Sequence, residues 1–416
     1  MSPRVHTGPA GVEAALAELR RGRLVVVVDD EDRENEGDLI MAAELATPEQ
    51  IAFMIRHTSG LLCVAVTEER AEELRLPLMV DDGNDPRGTA FTVSVDLKTG
   101  TTTGVSASDR ARTVRAIADP GTRPADLCRP GHVFPLRARP GGVLQRAGHT
   151  ESAVDLCRLA GLEPAGVLAE ITNEDGTMAR RGDLHAFAAE HGLVTIAVAD
   201  LVRHRRAAET LVRREATGRV PSDHGEFTAV SFRSLTDGVE HVALVLGDVD
   251  QRGATGAGAE PVLVRVHSEC LTGDVFGSRR CDCGEQLDAA LARIGEAGRG
   301  VVVYLRGHEG RGIGLSHKLR AYTLQDAGLD TVDANLAQGL PVDSREYGFG
   351  AQILRDLGVR RIRLMTNNPA KYRGLSGHGV TITGREPLVV RPNPDNLSYL
   401  TAKRTRMNHQ LGTEVS

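Results

Sequence analysis

Three cysteines crowd one short segment, HSECLTGDVFGSRRCDCGEQL, where Cys270, Cys281 and Cys283 have the spacing C-x10-C-x-C and no fourth cysteine occurs in the same half. Three thiolates leave one tetrahedral position of a zinc ion open to water, as catalysis requires. A histidine in that position would instead close the site into a structural one, and His267 lies near enough in sequence to do so. The spacing leaves both arrangements open. Cys283 also precedes a helix expected to start around Glu285, whose N-terminal dipole favours thiolate over thiol. Downstream, VVVYLRGHEGRGIGLSHKLRAY reads as a strand opening into a loop with Gly307, Gly310, Gly312 and Gly314. It matches neither G-x-G-x-x-G nor a P-loop. A plain turn accounts for the glycines, but their mixture with Arg306 and Arg311 also suits close backbone approach to phosphates. TNNPAKYRG follows another strand, and its Lys371 could meet the same anion.

The other half carries a second constellation. LVVVVDDEDRENEGDLIMAA sets seven carboxylates between Asp29 and Asp38, directly after an expected buried strand. Charge runs are usually solvated faces. Strand ends in α/β sheets are nevertheless where ligands sit, and a tight carboxylate cluster suits Mg²⁺, which prefers oxygen ligands. In LQRAGHTESAVDLCRLAG, Thr150 reads as an N-cap, Ala153, Val154, Leu156, Cys157 and Leu159 as the apolar stripe, and Gly161 as the stop. Arg146, His149 and Thr150 would then crowd a helix N-terminus, a natural phosphate site. TTTGVSASDRARTVRAIA offers a second hydroxyl-rich helix start. Cys63, in the apolar LLCVAV, reads as a buried structural thiol.

The elements that must hold these groups alternate in type. Strand-like runs (LVVVV, LLCVAV, FTVSVD, TIAVAD) alternate with helical VEAALAELRRG and TVRAIADPG in the first half. HVALVLGDV, VLVRVHS, GVVVYLRG and RIRLMTNN surround the helical GEQLDAALARIGEAG in the second. This predicts a mixed α/β (α+β) protein of two consecutive domains, each a mixed sheet covered by helices. A chain of 416 residues also exceeds what one core usually serves. The polar, arginine-rich VRHRRAAETLVRREATGRVPSDHG reads as a solvated linker helix, which places the boundary near residue 207 and the domains at 1–206 and 207–416. Unbroken apolar runs such as Leu24–Val28 and Val301–Leu305 are too short to cross a bilayer. No secretory signal is visible at the start, so a cytoplasmic location is expected. Six cysteines in a reducing compartment point to metal or catalysis rather than disulfides. A net charge of −6 and few aromatics argue against a nucleic-acid partner.

DDEDRENEGD, TTGVSASDR, RPGHVFPLRA, GHTESAVDL and GVLAEITNEDGTMAR resemble 3,4-dihydroxy-2-butanone 4-phosphate synthase across roughly residues 1–203. The resemblance implies conversion of D-ribulose 5-phosphate to the four-carbon phosphate and formate with Mg²⁺ or Mn²⁺. It implies Glu34 and His149 as metal ligands and His132 and Glu170 as the catalytic pair. Arg33, Glu34, Asp38, Thr103, Arg146, Ala147, Gly148, His149, Thr150 and Glu170 would hold the sugar phosphate. Enediolate chemistry needs groups that shuttle protons near neutral pH, which imidazole and a tuned carboxylate supply.

RVHSECLTGDVFGSRRCDCGEQLDAAL, YLRGHEGRGIGL, HKLRAYTLQD, DTVDAN and LMTNNPAK resemble GTP cyclohydrolase II over about residues 208–416. This similarity implies hydrolysis of GTP to 2,5-diamino-6-(5-phosphoribosylamino)pyrimidin-4(3H)-one, formate and pyrophosphate. Zn²⁺ on Cys270, Cys281 and Cys283 would activate water toward C8 of the base, with Mg²⁺ assisting at the phosphates. Arg265, Val266, His267, Ser268, Glu269, Gln286, Glu309, Gly310, Arg311, Thr331, Thr366 and Lys371 would contact GTP. Asp343 would accept a proton, Arg345 would attack the α-phosphorus, and Tyr322 would share the site. A guanidinium stays protonated almost everywhere, so charge stabilisation rivals the nucleophile role of Arg345. The two resemblances imply a bifunctional riboflavin-pathway enzyme, a homodimer acting on two small molecules with no membrane partner. The alternative is one catalytic half with the other as scaffold.

Overall fold

Val25 to Val27 are β-branched and fully buried, and Leu39, Ile40 and Met41 are fully buried too, which makes two antiparallel partners out of the segments flanking the acidic run. The computed structural model describes residues 9–30, 33–80, 87–253, 260–340, 345, 347–368, 375 and 379–407. The chain divides into two compact units, Met1–Glu209 and Thr210–Ser416.

The first unit is built on β1 (Val25–Val28), β2 (Gly37–Ala42), β3 (Cys63–Val66), β4 (Val95–Leu97), β5 (Leu127–Arg137), β6 (Ala165–Glu170) and β7 (Val194–Ala197), in sheet order β4-β5-β3-β6-β2-β1-β7. The β1–β7 and β3–β5 pairs are parallel and the others antiparallel, so the sheet is mixed. The helix Ala107–Ala118 starts at Ser106, whose side chain accepts from the Asp109 N–H. The helix His149–Ala160 buries ten of its residues, among them Glu151 and Asp155. Those two carboxylates find partners in Arg146 at 2.7 Å and Arg205 at 2.7 Å. The helix stops at Gly161, with φ 75°. Its start differs from the expectation: Gly148 is the N-cap and Thr150 lies inside the first turn, buried. A Cβ there would meet Arg146 Nη1 at 2.5 Å, so any larger residue would have to displace that arginine.

The second unit is built on β8 (Val212–Ser222), β9 (Gly225–Ser234), β10 (Glu240–Leu246), β11 (Val262–Ser268), β12 (Gly300–Leu305), β13 (Arg361–Met365) and β14 (Thr381–Glu386), in order β14-β13-β11-β12-β10-β9-β8. β12, β11, β13 and β14 run parallel, and β10, β9 and β8 continue antiparallel. The pleat of β12 shows that both faces are covered. Val301, Val303 and Leu305 pack with Ile353 and Leu354 of the helix Gly348–Asp356. Val302 packs with Ala290 and Ile294 of the helix Cys283–Ala297.

The arginine-rich segment departs from the expected linker helix. A helix, Val198–Ala208, ends where Arg205 pairs with Glu209, and residues from Val212 form the edge strand β8 against β9. Charges on an exposed edge strand discourage further strand pairing. Here Arg213, Glu215, Arg233 and Glu240 form a surface ion-pair ladder that hides the strand from a hydrophobicity pattern. Among the described residues, no helix is long and apolar enough to cross a membrane.

Candidate active sites

In the first unit, the loop between β1 and β2 and the start of the helix His149–Ala160 meet. Asp29, Glu34 and His149 each offer an atom within 4.8 Å of the others. His149 Nδ1 lies 3.7 Å from Glu34 Oε2 and 3.6 Å from Asp38 Oδ1. Hydrogen bonding to His149 and the charge of Arg33 lower the Glu34 carboxyl to about 2. Burial opposes charge on His149, but Asp38, Glu34 and Asp29 outweigh it and raise the imidazole to about 9. Burial pushes Asp38 up to about 7. His149 Nε2 and Asp38 Oδ1 are buried without a hydrogen-bond partner. A pocket of carboxylates around an imidazole with orphaned polar atoms fits a hard divalent cation. Arg33 Nη1 donates to Asp29 and Glu34 at 2.8 and 2.7 Å, and Arg146 Nη2 to Thr89 at 3.0 Å.

Asp38 and Glu170 face each other across β2 and β6, and Glu170 accepts from Ser59 Oγ at 2.7 Å. His132 stands apart from this group. Its Nδ1 is 2.7 Å from Asp96 Oδ2, beside Gly104, whose φ of 84° lets the TTTG loop close over the pair. The register aligns Phe134 with Cys63 and Cys63 with Leu168, which places His132 and Glu170 in one row of the sheet. Two strand spacings, roughly 10 Å, separate their strands. Thr103 and Ala147 are exposed on the loops preceding their helices.

In the second unit, the sulfurs of Cys270, Cys281 and Cys283 lie within 4.8 Å of one another, with Cys270 Sγ 3.7 Å from Cys281 Sγ. Gly273 makes the cradle: a Cβ there would stand 2.8 Å from Cys281 Sγ and 3.2 Å from Cys270 Sγ. Hydrogen bonds from Cys281 and Cys283, with Lys318 Nζ at 3.1 Å, hold Cys270 as the thiolate. Hydrogen bonding to Cys270 and burial push Cys281 up to about 11 and raise Cys283 well above the usual thiol range, because crowded sulfurs cannot all ionise without a cation. The helix begins at Cys283 itself. Such a set fits zinc, which neutralises all three. His267 is not among the cluster: its Nε2 lies 3.0 Å from Asp274 Oδ1, and Asp274 also accepts from Cys270 N–H and Tyr304 OH.

A cleft opens from the sulfurs. Ser268, Glu269, Gly310, Arg311, Thr331, Tyr322 and Arg345 line one lobe, and Arg265, His267, Gln286 and Thr366 the other. Glu309 sits behind the wall, bound to Lys318 Nζ at 2.5 Å and to Leu271 N–H at 2.6 Å. The Val266 side chain belongs to the core, so that residue can face a ligand only through its backbone. Asp343 and Lys371 lie outside the described residues.

The family model for 3,4-dihydroxy-2-butanone 4-phosphate synthase matches residues 13–204, and that for GTP cyclohydrolase II matches residues 213–387. A relative from Salinispora arenicola, "Riboflavin biosynthesis protein RibBA", is 62% identical over 96% of this chain and 94% of its own length. The chain belongs to the bifunctional RibBA family of riboflavin biosynthesis proteins. Its N-terminal part is thus a lyase domain and its C-terminal part a hydrolase domain, each acting on a small molecule. The Arabidopsis thaliana "Bifunctional riboflavin biosynthesis protein RIBA 1, chloroplastic" is 58% identical over 97% of this chain and 74% of its own length. A solved structure, "RibBX, a two domain 3,4-dihydroxy-2-butanone 4-phosphate synthase" from A. baumannii, aligns with TM-score 0.69 and 37% identity over 90% of this chain and 99% of its own.

Several residues that the structure brings to the candidate sites are not singled out by the sequence. Asp29 was one carboxylate among seven, and Asp274 and Lys318 sat unmarked inside the quoted motifs. The scarcity of lysine was the one signal that could have singled out Lys318.

Proposed function

We propose that domains 1–206 and 207–416 use separate metal centres for two unconnected reactions. Cys270, Cys281 and Cys283 hold Zn²⁺ for GTP hydrolysis, and Glu34 and His149 hold Mg²⁺ or Mn²⁺ for ribulose 5-phosphate rearrangement. The observation that carries the hydrolase reading is the engagement of His267 Nε2 by Asp274, which turns that histidine from the sulfur cluster and favours an open fourth position. When bound, zinc supplies Lewis acidity that brings a water pKa near neutrality. Lys318 and Glu309 fix Cys270, Arg311 and Arg345 draw the triphosphate, and Tyr322 and Asp343 handle protons. Arg345 acts by charge stabilisation, since its guanidinium remains a cation. A Mg²⁺ at the GTP phosphates would supply positive charge beside the arginines there.

In the lyase domain, Glu34 and His149 would hold the divalent cation, which would supply positive charge for oxygen atoms of the substrate. Arg33, Arg146 and Thr150 hold the sugar phosphate near the N-terminus of the helix His149–Ala160, where backbone N–H groups point outward. Asp38, Glu170 and His132 transfer protons, and Asp38, at about 7, can do so near neutral pH. Metal binding displaces the proton His149 otherwise carries. The enzyme works as a cytoplasmic homodimer on soluble substrates, without nucleic-acid or membrane partners.

One observation favours a second reading: RibBX has two domains but is described as a 3,4-dihydroxy-2-butanone 4-phosphate synthase alone, which suits a chain with one catalytic half and the other as scaffold. Zinc content, with formate released from GTP and from ribulose 5-phosphate, in wild type and Cys281→Ser separates them. The variant is expected to lose zinc and GTP-dependent formate and to keep formate from ribulose 5-phosphate. A zinc-loaded wild-type chain silent toward GTP sinks the hydrolase reading in favour of the scaffold.

A further inference from the structure

The helix Leu397–Met407 begins beyond residue 387, where the cyclohydrolase family match ends, and none of the expected site residues lies on it. It nevertheless delivers two side chains to the cleft. Tyr399 lines both lobes, and Lys403 lines the lobe that holds Arg265, Gln286 and Thr366. Lys403 is 8% exposed, and its Nζ lies 2.6 Å from Asp282 Oδ1 and 4.4 Å from the Tyr399 ring.

From Asp282 a chain of hydrogen bonds runs to the nucleotide lobe. Asp282 Oδ2 accepts from Gln286 Nε2 at 2.6 Å, Gln286 Oε1 accepts from Arg265 Nη2 at 2.5 Å, and Arg265 Nη1 donates to the Met365 carbonyl at 3.0 Å. The direction of this chain is forced. An ammonium only donates and a carboxylate only accepts, so the Gln286 amide must turn its NH₂ to Asp282 and its oxygen to Arg265. Asp282 is 2% exposed, and the Lys403 ammonium 2.6 Å away is the ionic partner that fixes its carboxylate opposite Gln286. Without Lys403 the buried carboxylate loses that partner, and with it the fixed position from which it holds the Gln286 amide.

We propose that Lys403 is a positioning residue for GTP, acting through Asp282 to set the Gln286 amide and the Arg265 guanidinium, with Tyr399 of the same helix walling the cleft. This rests on the reading of the C-terminal domain as the GTP site. Both Gln286 and Arg265 then meet the nucleotide in one orientation, and a helix outside the matched region becomes part of substrate recognition.

The test uses the full chain, with formate release from GTP measured in Lys403→Met, Lys403→Arg and Asp282→Asn. KM is the deciding quantity, because a partly misfolded preparation lowers the apparent kcat and leaves KM alone. Lys403→Met should raise KM for GTP by about tenfold or more, as expected for loss of a charge-assisted hydrogen bond that orders two ligand contacts. Its zinc content and formate release from ribulose 5-phosphate should stay at wild-type levels. Lys403→Arg, which restores the cation, should recover most of the KM. Asp282→Asn, whose single acceptor oxygen cannot serve both Lys403 and Gln286, should raise KM similarly and covers the case that Lys403→Met does not fold. A KM within twofold of wild type in Lys403→Met and Asp282→Asn overturns the positioning role and leaves the hydrolase reading intact. A wild-type chain that holds zinc and ignores GTP overturns both.

Discussion

Cys270 illustrates how a residue's type and its surroundings share the work. Its sulfur suits a metal by chemistry, but its ionisation depends on Cys281, Cys283 and Lys318, three groups from two helices and a loop. Gly273 matters for the space it leaves. Gly273→Ala puts a Cβ 2.8 Å from Cys281 Sγ, so the sulfurs must move apart. Chelator competition should find zinc affinity reduced by about tenfold or more, with GTP turnover falling in parallel and ribulose 5-phosphate turnover unchanged. Zinc held as tightly as in wild type would mean the cradle has slack. At this scale the cysteines were legible because six in a long chain are few, and the carboxylates of 29–38 because seven in ten residues are many. Asp274 and Lys318 were not, since an aspartate or lysine reads alike in sequence whether it is solvated or buried against a ligand.

Elements with alternating or continuous apolar runs, such as β1, β3, β11 and β12, were readable from pattern. β2 was obscured by the charges before it and β8 by arginines on an edge that no neighbour covers. β10 carries a different consequence. His241 is 2% exposed, accepts from the Arg306 N–H at 3.2 Å, and is lowered to about 4 chiefly by burial. An unfolded histidine titrates near 6.5, so below that pH the unfolded chain takes up a proton that folded His241 refuses. Its contribution to stability is complete above pH 6.5 and is lost as pH falls toward 4. About 3 kcal/mol of the C-terminal unit's stability should vanish over that window. His241→Asn keeps an acceptor and does not titrate. Urea unfolding between pH 4 and 7 should therefore show a flatter slope for the variant, and equal slopes would assign the acid sensitivity elsewhere.

At the scale of the molecule, two sheets each close a core of their own. The Arg205–Glu209 pair finishes the first unit, while Leu211 N–H already donates to Gln352 of the second at 2.6 Å. The product of one reaction is not the substrate of the other, so no passage between sites is required. Chains of residues 1–209 and 210–416 expressed separately should each keep the activity of their half within about twofold, read as formate release from the matching substrate. Loss of both activities in folded halves would show that the sites depend on the fusion.

The order of residues alone determined the two families, the candidate metal-ligand types and the alternation that builds mixed sheets, because each depends on residue type at short range. Tertiary structure decided the rest. Where His267 turns, which thiol gives up its proton, how His132 and Glu170 come into one row and that Lys403 reaches Asp282 from 121 positions away all depend on distances through space. Electrostatic and hydrogen-bond energies follow those distances, and sequence separation does not encode them.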